Sequence, residues 1–355
     1  MHRLFALIGV LAAAFAGTAL SSAGQDLTAR AVPEGLHIGR TTLAFSGDGR
    51  ILREMQSLEA VAQGEPTHVR AVSYDLRTGK IIHTVDFGAG TRLLSLTTDG
   101  RTAIISVDSG KEGTRPRLLW ADVGTGRAEE VPSQWFAAGD KNPWAQISGD
   151  GRLVSAYSEE GPQEAPRVVS VYDWETKQLI AKRGAKFSAG GSDSGGVTED
   201  GKIEFSNNRT GSNIVDPKTG RDLVSYGPLS VRSPNGAWVV DFPNEGWGPD
   251  VNEVPIKNGM NGQTVGKLDI ELTGEEANWW WQGAFCGASG RFVAAGPGEV
   301  LVFEIPSGKR LESLAPETWR DPREKQETSS TVACSADGKL AAIGSGQRLT
   351  LHHLN

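Results

Sequence analysis

Three indoles in a row, within Asn278-Trp279-Trp280-Trp281-Gln282, are the residues of this chain best equipped to bind something. Successive strand residues alternate faces, so three adjacent indoles cannot all be buried on one side. Each offers a broad apolar face with a single N–H donor, which suits interface anchoring and stacking on sugars or quinones. Trp247 and Trp319 sit in similar loop-like stretches, and these five form the candidate partner-binding set. The plainer account is that the indoles brace long loops by wedging between packed elements. The same stretches are acidic: Glu159, Glu160, Glu164, Glu245, Asp250, Glu275, Glu276, Asp321 and Glu324. A carboxylate pair suits glycoside hydrolysis, and several converging carboxylates suit Ca²⁺. No D-x-D-x-D-G spacing supports a calcium loop, so solvated surface charge is the simpler reading.

Other chemistry is poorly served. Gly191–Gly196 reads GSDSGG, which invites comparison with serine-hydrolase motifs, but it has no strand-turn-helix elbow and reads as an inter-blade loop. The histidines show no partnering or ligand spacing except His352-His353, whose side chains point to opposite faces of a strand. No cofactor or metal is called for. Cys286 and Cys334 are an even pair, and a disulfide is one reading. Against it, packed sheets lie about 10 Å apart, while a disulfide needs Cα atoms within about 7 Å. Only very close to a central axis would the two readings meet.

The elements that must position these residues follow from a recurring phrase. It reads FSGDGR from Phe45, LTTDGR from Leu96, ISGDGR from Ile147 and VTEDGK from Val197. Looser copies begin at Arg232, Cys286 and Cys334. A second phrase alternates with it: YDLRTGK from Tyr74, ADVGTGR from Ala121, YDWETK from Tyr172, VDPKTGR from Val215 and FEIPSGK from Phe303. In both, Asp accepts backbone N–H groups and Gly supplies positive φ, the chemistry of a hairpin turn. Alternating apolar runs such as TAIISV and RVVSVYD flank them. Seven copies predict an all-β, seven-bladed β-propeller of four-stranded antiparallel blades spanning 24–355. The chain ends at RLTLHHLN, a third strand lacking a fourth. An N-terminal strand closes the ring in this reading, with 35–41 as the expected segment.

In a four-stranded meander, connections one and three share an edge, and connection two and the inter-blade link share the other. The two tight phrases fill one edge. The long insertions, around 132–143, 158–166, 184–196, 243–252, 273–282 and 315–329, fall on the other. Irregular loops concentrated on one face point to a contact surface.

On these turns the chain resembles the WD40-type β-propellers. Tyr74-Asp75, Ala121-Asp122 and Val215-Asp216 lie where that family carries Trp-Asp, while its Gly-His pair is absent. The resemblance implies a WD40-like fold and a scaffold that binds other proteins; it carries over no site residue. The Asp-x-x-Thr-Gly-Lys turns also resemble the quinoprotein dehydrogenase repeat, without its docking Trp. The alternative function is therefore a periplasmic propeller enzyme, lactonase-like, glycosidase-like or quinoprotein-like, with an axial active site.

Residues 1–23 have the parts of a signal peptide: basic His2 and Arg3, an apolar run over 4–15, and small Ser21-Ser22-Ala23. The run is too short to span a bilayer, which needs about 20 residues. Cleavage near Ala23 would leave a periplasmic or secreted protein of a bacterial kind, without membrane insertion. It would remove Arg3 and no acid, moving the formal net charge from −7 to about −8. That balance disfavours nucleic acid as a partner, and leaves a protein or cell-envelope component as the expected one.

Overall fold

The computed structural model describes residues 25–27, 32, 36–60, 67–111, 114–138, 140, 142–158, 167–185, 193–207, 211–216, 219, 221–227, 229–242, 253–270, 282–287, 289–296, 299–314, 331–345 and 348–354. These form seven antiparallel four-stranded sheets, with one short 3-10 turn at Ser133–Trp135 among the described residues. Blades 1 to 6 take their strands in chain order, from Leu36–Phe45 in blade 1 to Arg310–Leu314 in blade 6. The fold class read from the repeats is the fold observed.

Both phrases build the turns they were assigned. In the first, the opening Ser or Thr and the Asp act as a pair. Ser46 Oγ donates to Asp48 Oδ1 at 2.6 Å, while Asp48 Oδ1 accepts the Arg50 N–H and Ser46 Oγ accepts the Ile51 N–H. The same pattern recurs at Thr97/Asp99, Ser148/Asp150, Ser233/Asn235 and Ser335/Asp337. In the second phrase, Asp75, Asp122 and Asp173 each accept the N–H and the hydroxyl of a Thr three residues on. Left-handed glycines close both turns, for example Gly49 at φ 67° and Gly79 at φ 67°.

Packing is organised by the seams between blades. The buried apolar side chains fall into seven clusters, one per seam. The seam between blades 6 and 7, for instance, gathers Val293, Val302, Leu314, Ala341 and Ile343. The seam between blades 4 and 5 is the leanest, with Ile214, Val224, Tyr226 and Val239. It also carries an ion-pair network. Asp200 Oδ2 accepts from Arg232 Nη2 at 3.0 Å and Lys202 Nζ at 2.9 Å, and Arg232 Nη1 also reaches the Gly259 carbonyl.

The ring does close through an N-terminal strand, but not the expected one. Leu36–Phe45 is the innermost strand of blade 1 and leads straight into its first turn. The outer strand of blade 7 is Gln25–Asp26, antiparallel to Arg348–His353, with Gln25 opposite Leu351. Leu27 then drops its side chain into the seam with blade 1, beside Leu43, Phe45, Tyr74 and Leu351. Counting strands identified the vacancy; an apolar stretch next to a turn belongs inside a blade, and the closing strand needs only two residues and an anchor.

A second correction concerns Gly191–Gly196. Its second half belongs to Asp193–Val197, the inner strand of blade 4, rather than to a loop. A Cβ on Gly195 would lie 2.2 Å from a Val169 methyl, and one on Gly196 would collide with the Gln146 amide. The glycines are there because blade 3 presses on this strand.

The outer strands carry irregularities of their own. Register shifts interrupt the third–fourth strand pairing at Ser73/Tyr74, Val171/Tyr172, Ile214/Val215, Ile256/Lys257 and Val302/Phe303. Ile81, Ile82, Leu179 and Ile180 lie exposed on two of these outer strands.

Candidate functional site: the loop-bearing face and the axial channel

The first connection of each blade, and the third of blades 1 to 6, fall on one face. The strand ends flanking 159–166, 243–252, 271–281 and 315–330 all lie at the opposite face. Trp247, Trp279, Trp280, Trp281 and Trp319 lie outside the described residues, as do all nine loop carboxylates named above.

Two other tryptophans of this face are placed. Trp135, in the link between blades 2 and 3, is buried and stacks on Tyr172 with ring centroids 4.1 Å apart. Trp174 meets it edge-on at 5.9 Å and stacks on Trp120 at 5.2 Å. These four rings fill the seam between blades 2 and 3, the bracing role. Trp144 behaves differently. It opens the inner strand of blade 3, Trp144–Ile147, and lines a cleft of about 840 Å³ sunk into the loop-bearing face over blade 2. Thr67 and Gly90 bound the cleft from blade 1, Arg92 and Asp108 from blade 2, and Asn142 from the link to blade 3. The floor is braced: Thr91 Oγ1 accepts the Val69 N–H at 2.8 Å and donates to the Gly88 carbonyl at 2.6 Å.

At the other end of the axis a smaller cavity of about 230 Å³ lies inside the ring, lined by Thr42, Thr98, Glu199, Arg232, Phe285 and Cys334 among others. Glu199 is reachable by water there, yet walled by protein. Loss of hydration raises its carboxyl above the ordinary value; a hydrogen bond from Thr98 opposes this and the neighbouring Asp200 adds to it. Glu199 is the single carboxylate among the described lining residues, and no histidine joins it. Glycoside hydrolysis by a carboxylate pair has no counterpart among these lining groups. No cluster of three or more metal-ligating side chains occurs among the described residues.

Cys286 and Cys334 are joined in a disulfide with Cα atoms 4.8 Å apart. Cys286 follows the innermost strand of its blade, Gln282–Phe285, and Cys334 ends that of the next, Thr331–Cys334, where neighbouring blades converge on the axis. The 10 Å spacing that spoke against the bond applies to the flat, outer parts of packed sheets.

Sequence reasoning missed Arg92, Asp108, Thr98 and Glu199. Thr98 and Glu199 share one position of the first phrase, the residue before its Asp, and that alignment was the available signal. Arg92 and Asp108 carried none.

Comparison with solved structures settles the architecture. The chain superposes on the β-propeller domain of Cps50 (Swd1) from Myceliophteria thermophila with a TM-score of 0.56, at 12% identity, covering 90% of this chain and 100% of that one. It superposes on the WD40 repeats of RRP9 with a TM-score of 0.61, at 11% identity, covering 94% and 98%. The fold is that of a WD40 β-propeller. No family model matches the sequence, and no curated protein does. As a WD40-like propeller, the chain departs from the sequence pattern at the Trp-Asp positions. Tyr74, for example, is fully buried and donates its hydroxyl to Glu54 at 3.0 Å. No described helix is long and apolar enough to cross a membrane.

Proposed function

We propose that this chain is an exported WD40-like propeller that docks a protein or cell-envelope component on its loop-bearing face. The observation that carries the reading is the asymmetry of the disc: tight turns on one face, the longer connections and a cleft of about 840 Å³ on the other. Loops held by a rigid ring are the usual place for recognition. The indoles Trp247, Trp279, Trp280, Trp281 and Trp319 are the proposed anchors, since large amphipathic rings dominate the energetics of such contacts. Export rests on the signal-like composition of residues 1–23, with cleavage near Ala23.

The test is capture from the envelope and secreted fractions of the native host by the full mature chain, beside a Trp279/Trp280/Trp281→Ala variant that melts like wild type. One partner retained by wild type and lost by the variant supports docking through this face. Equal capture by both moves the contact elsewhere. N-terminal sequencing of the exported protein checks the cleavage site.

A further inference from the structure

The cleft over blade 2 has a composition that docking of a protein does not explain. The one cation among its described lining residues, Arg92, is exposed, with its guanidinium carbon 5.3 Å from the centroid of the Trp144 ring. That contact holds the group in place, yet Arg92 makes no hydrogen bond or ion pair among the described residues. Towards the described residues its five N–H donors in a planar fork are unspent, and such a fork matches a carboxylate in two parallel bonds. Asp108 lines the same cleft from the end of the neighbouring strand, using one carboxylate oxygen to accept the Gly110 N–H at 3.0 Å and leaving the other for a hydroxyl donor. The walls also carry the hydroxyls of Ser106, Ser109 and Thr114 and the amide of Asn142.

Each class of ligand asks for something different. An apolar side chain or lipid tail wants continuous apolar walls, and here the apolar surface of Ala89, Pro116, Pro143 and Trp144 is interrupted by Arg92, Asp108 and the hydroxyl and amide side chains. A phosphate wants several cations or a run of backbone N–H groups, and the described lining offers a single guanidinium. Many hydroxyls, each both donor and acceptor, together with one carboxylate per unit, match these walls. The volume lies within the ~300–1,000 Å³ typical of small-ligand sites.

We propose that this cleft is a binding site for an acidic oligosaccharide of the uronic-acid class, with Arg92 taking the sugar carboxylate and Asp108, Ser106, Ser109, Thr114 and Asn142 meeting its hydroxyls. The indole of Trp144 holds the guanidinium in position before the ligand arrives, which reduces the ordering cost of binding.

Isothermal titration of the mature chain tests this with three probes: trigalacturonate, neutral galactotriose and triglutamate. Trigalacturonate binds saturably, at least tenfold tighter than galactotriose, and loses at least tenfold in Arg92→Gln. Arg50→Gln, on the opposite face, leaves it unchanged. If Arg92→Gln melts below wild type, Arg92→Lys is read instead, keeping the charge and stem but not the fork, with the same direction expected. No saturable binding at several millimolar overturns the proposal, as does galactotriose bound as tightly, or binding undiminished by the Arg92 variants. Triglutamate bound as tightly as trigalacturonate also overturns it, and makes the cleft a site for acidic peptide. None of these outcomes bears on capture through Trp279–Trp281, which fails or succeeds separately.

Discussion

Lys177 Nζ stands 3.1 Å above the centroid of the Trp174 ring and 3.0 Å from Glu129 Oε1, tying the second turn of blade 3 to the outer strand of blade 2. Lys177 holds φ at 58°, in the slot where the other second-phrase turns carry Gly79, Gly126 and Gly308. A left-handed non-glycine residue costs about 1–2 kcal/mol, and a cation over an indole returns about 0.5–2 kcal/mol. Lys177→Ala, which keeps the strain and loses the contacts, should cost about 1 kcal/mol. Lys177→Gly, which loses both, should stay within about 0.5 kcal/mol of wild type. Urea unfolding of the two variants checks the ordering; equal midpoints would remove the strain from the account.

The Cys286–Cys334 bond encloses 48 residues of sequence separation, and chain-entropy reasoning for a loop of that size gives about 4 kcal/mol. Reduction, or Cys286→Ala/Cys334→Ala, should lower the unfolding midpoint accordingly and leave blade 6 against blade 7 to its apolar seam. An unchanged midpoint under reductant would mean that the seam alone suffices.

Burial would raise the Asp200 carboxyl, but hydrogen bonds from Arg232, Thr198 and Lys202 outweigh it and hold it at about 2. A depressed carboxylate contributes stability that is present above its ordinary value near 3.8 and is lost as pH falls through about 2. We expect about 1–2 kcal/mol from this group at neutral pH. Asp200→Asn should remove it at pH 7, and the variant and wild type should converge at pH 2. Parallel melting curves across that range would contradict the assignment.

His352 is buried in blade 7, with its Nε2 2.9 Å from Thr350 Oγ1, and burial lowers its pKa from the ordinary 6.5. The unfolded chain therefore takes up a proton that the folded chain resists. Stability is complete above pH 6.5 and declines as pH drops from there towards the lowered folded value. Thermal melts at pH 7.5 and 5.5 should separate more for wild type than for His352→Gln.

Leu27 is 1% exposed and follows the closing strand directly. Leu27→Ala should cost about 2–4 kcal/mol, as for other fully buried leucines, because it empties the seam between blades 7 and 1. Hydrogen exchange should then rise first at Thr350 and Leu351, which face Gln25 and Asp26. Uniform loss of protection around the ring would show that closure is not a local event.

The parts of this fold that the sequence announced are those where one residue type has one job. Gly49 and Asp48 repeat because a tight turn needs positive φ and a short acceptor, so blades could be counted. The partner role of Ser46 was hidden, since Ser is common in every setting. Gln25–Asp26 was invisible because two polar residues carry no periodicity. The disulfide stayed open in the sequence because a mean sheet spacing does not hold at the axis, where inner strands converge. The candidate cleft drew least from sequence: Thr67, Arg92, Asp108 and Trp144 come from three blades, and only the ring geometry brings them together.

The circumference of such a disc is a circle of open sheet edges, each able to recruit another chain and seed a fibre. Here every edge is spoiled by one of two means. Blades 1, 3, 4, 5 and 6 kink theirs with the register shifts described above, which turn backbone groups out of line. Blade 2 offers just Ala128-Glu129-Glu130, and blade 7 just two residues. The kinks matter most beside Ile81-Ile82 and Leu179-Ile180, whose exposed side chains would otherwise favour cross-β stacking. Straightening one of those edges, by deleting the extra residue at Ile82 or Ile180, is where colloidal stability at high concentration would first give way.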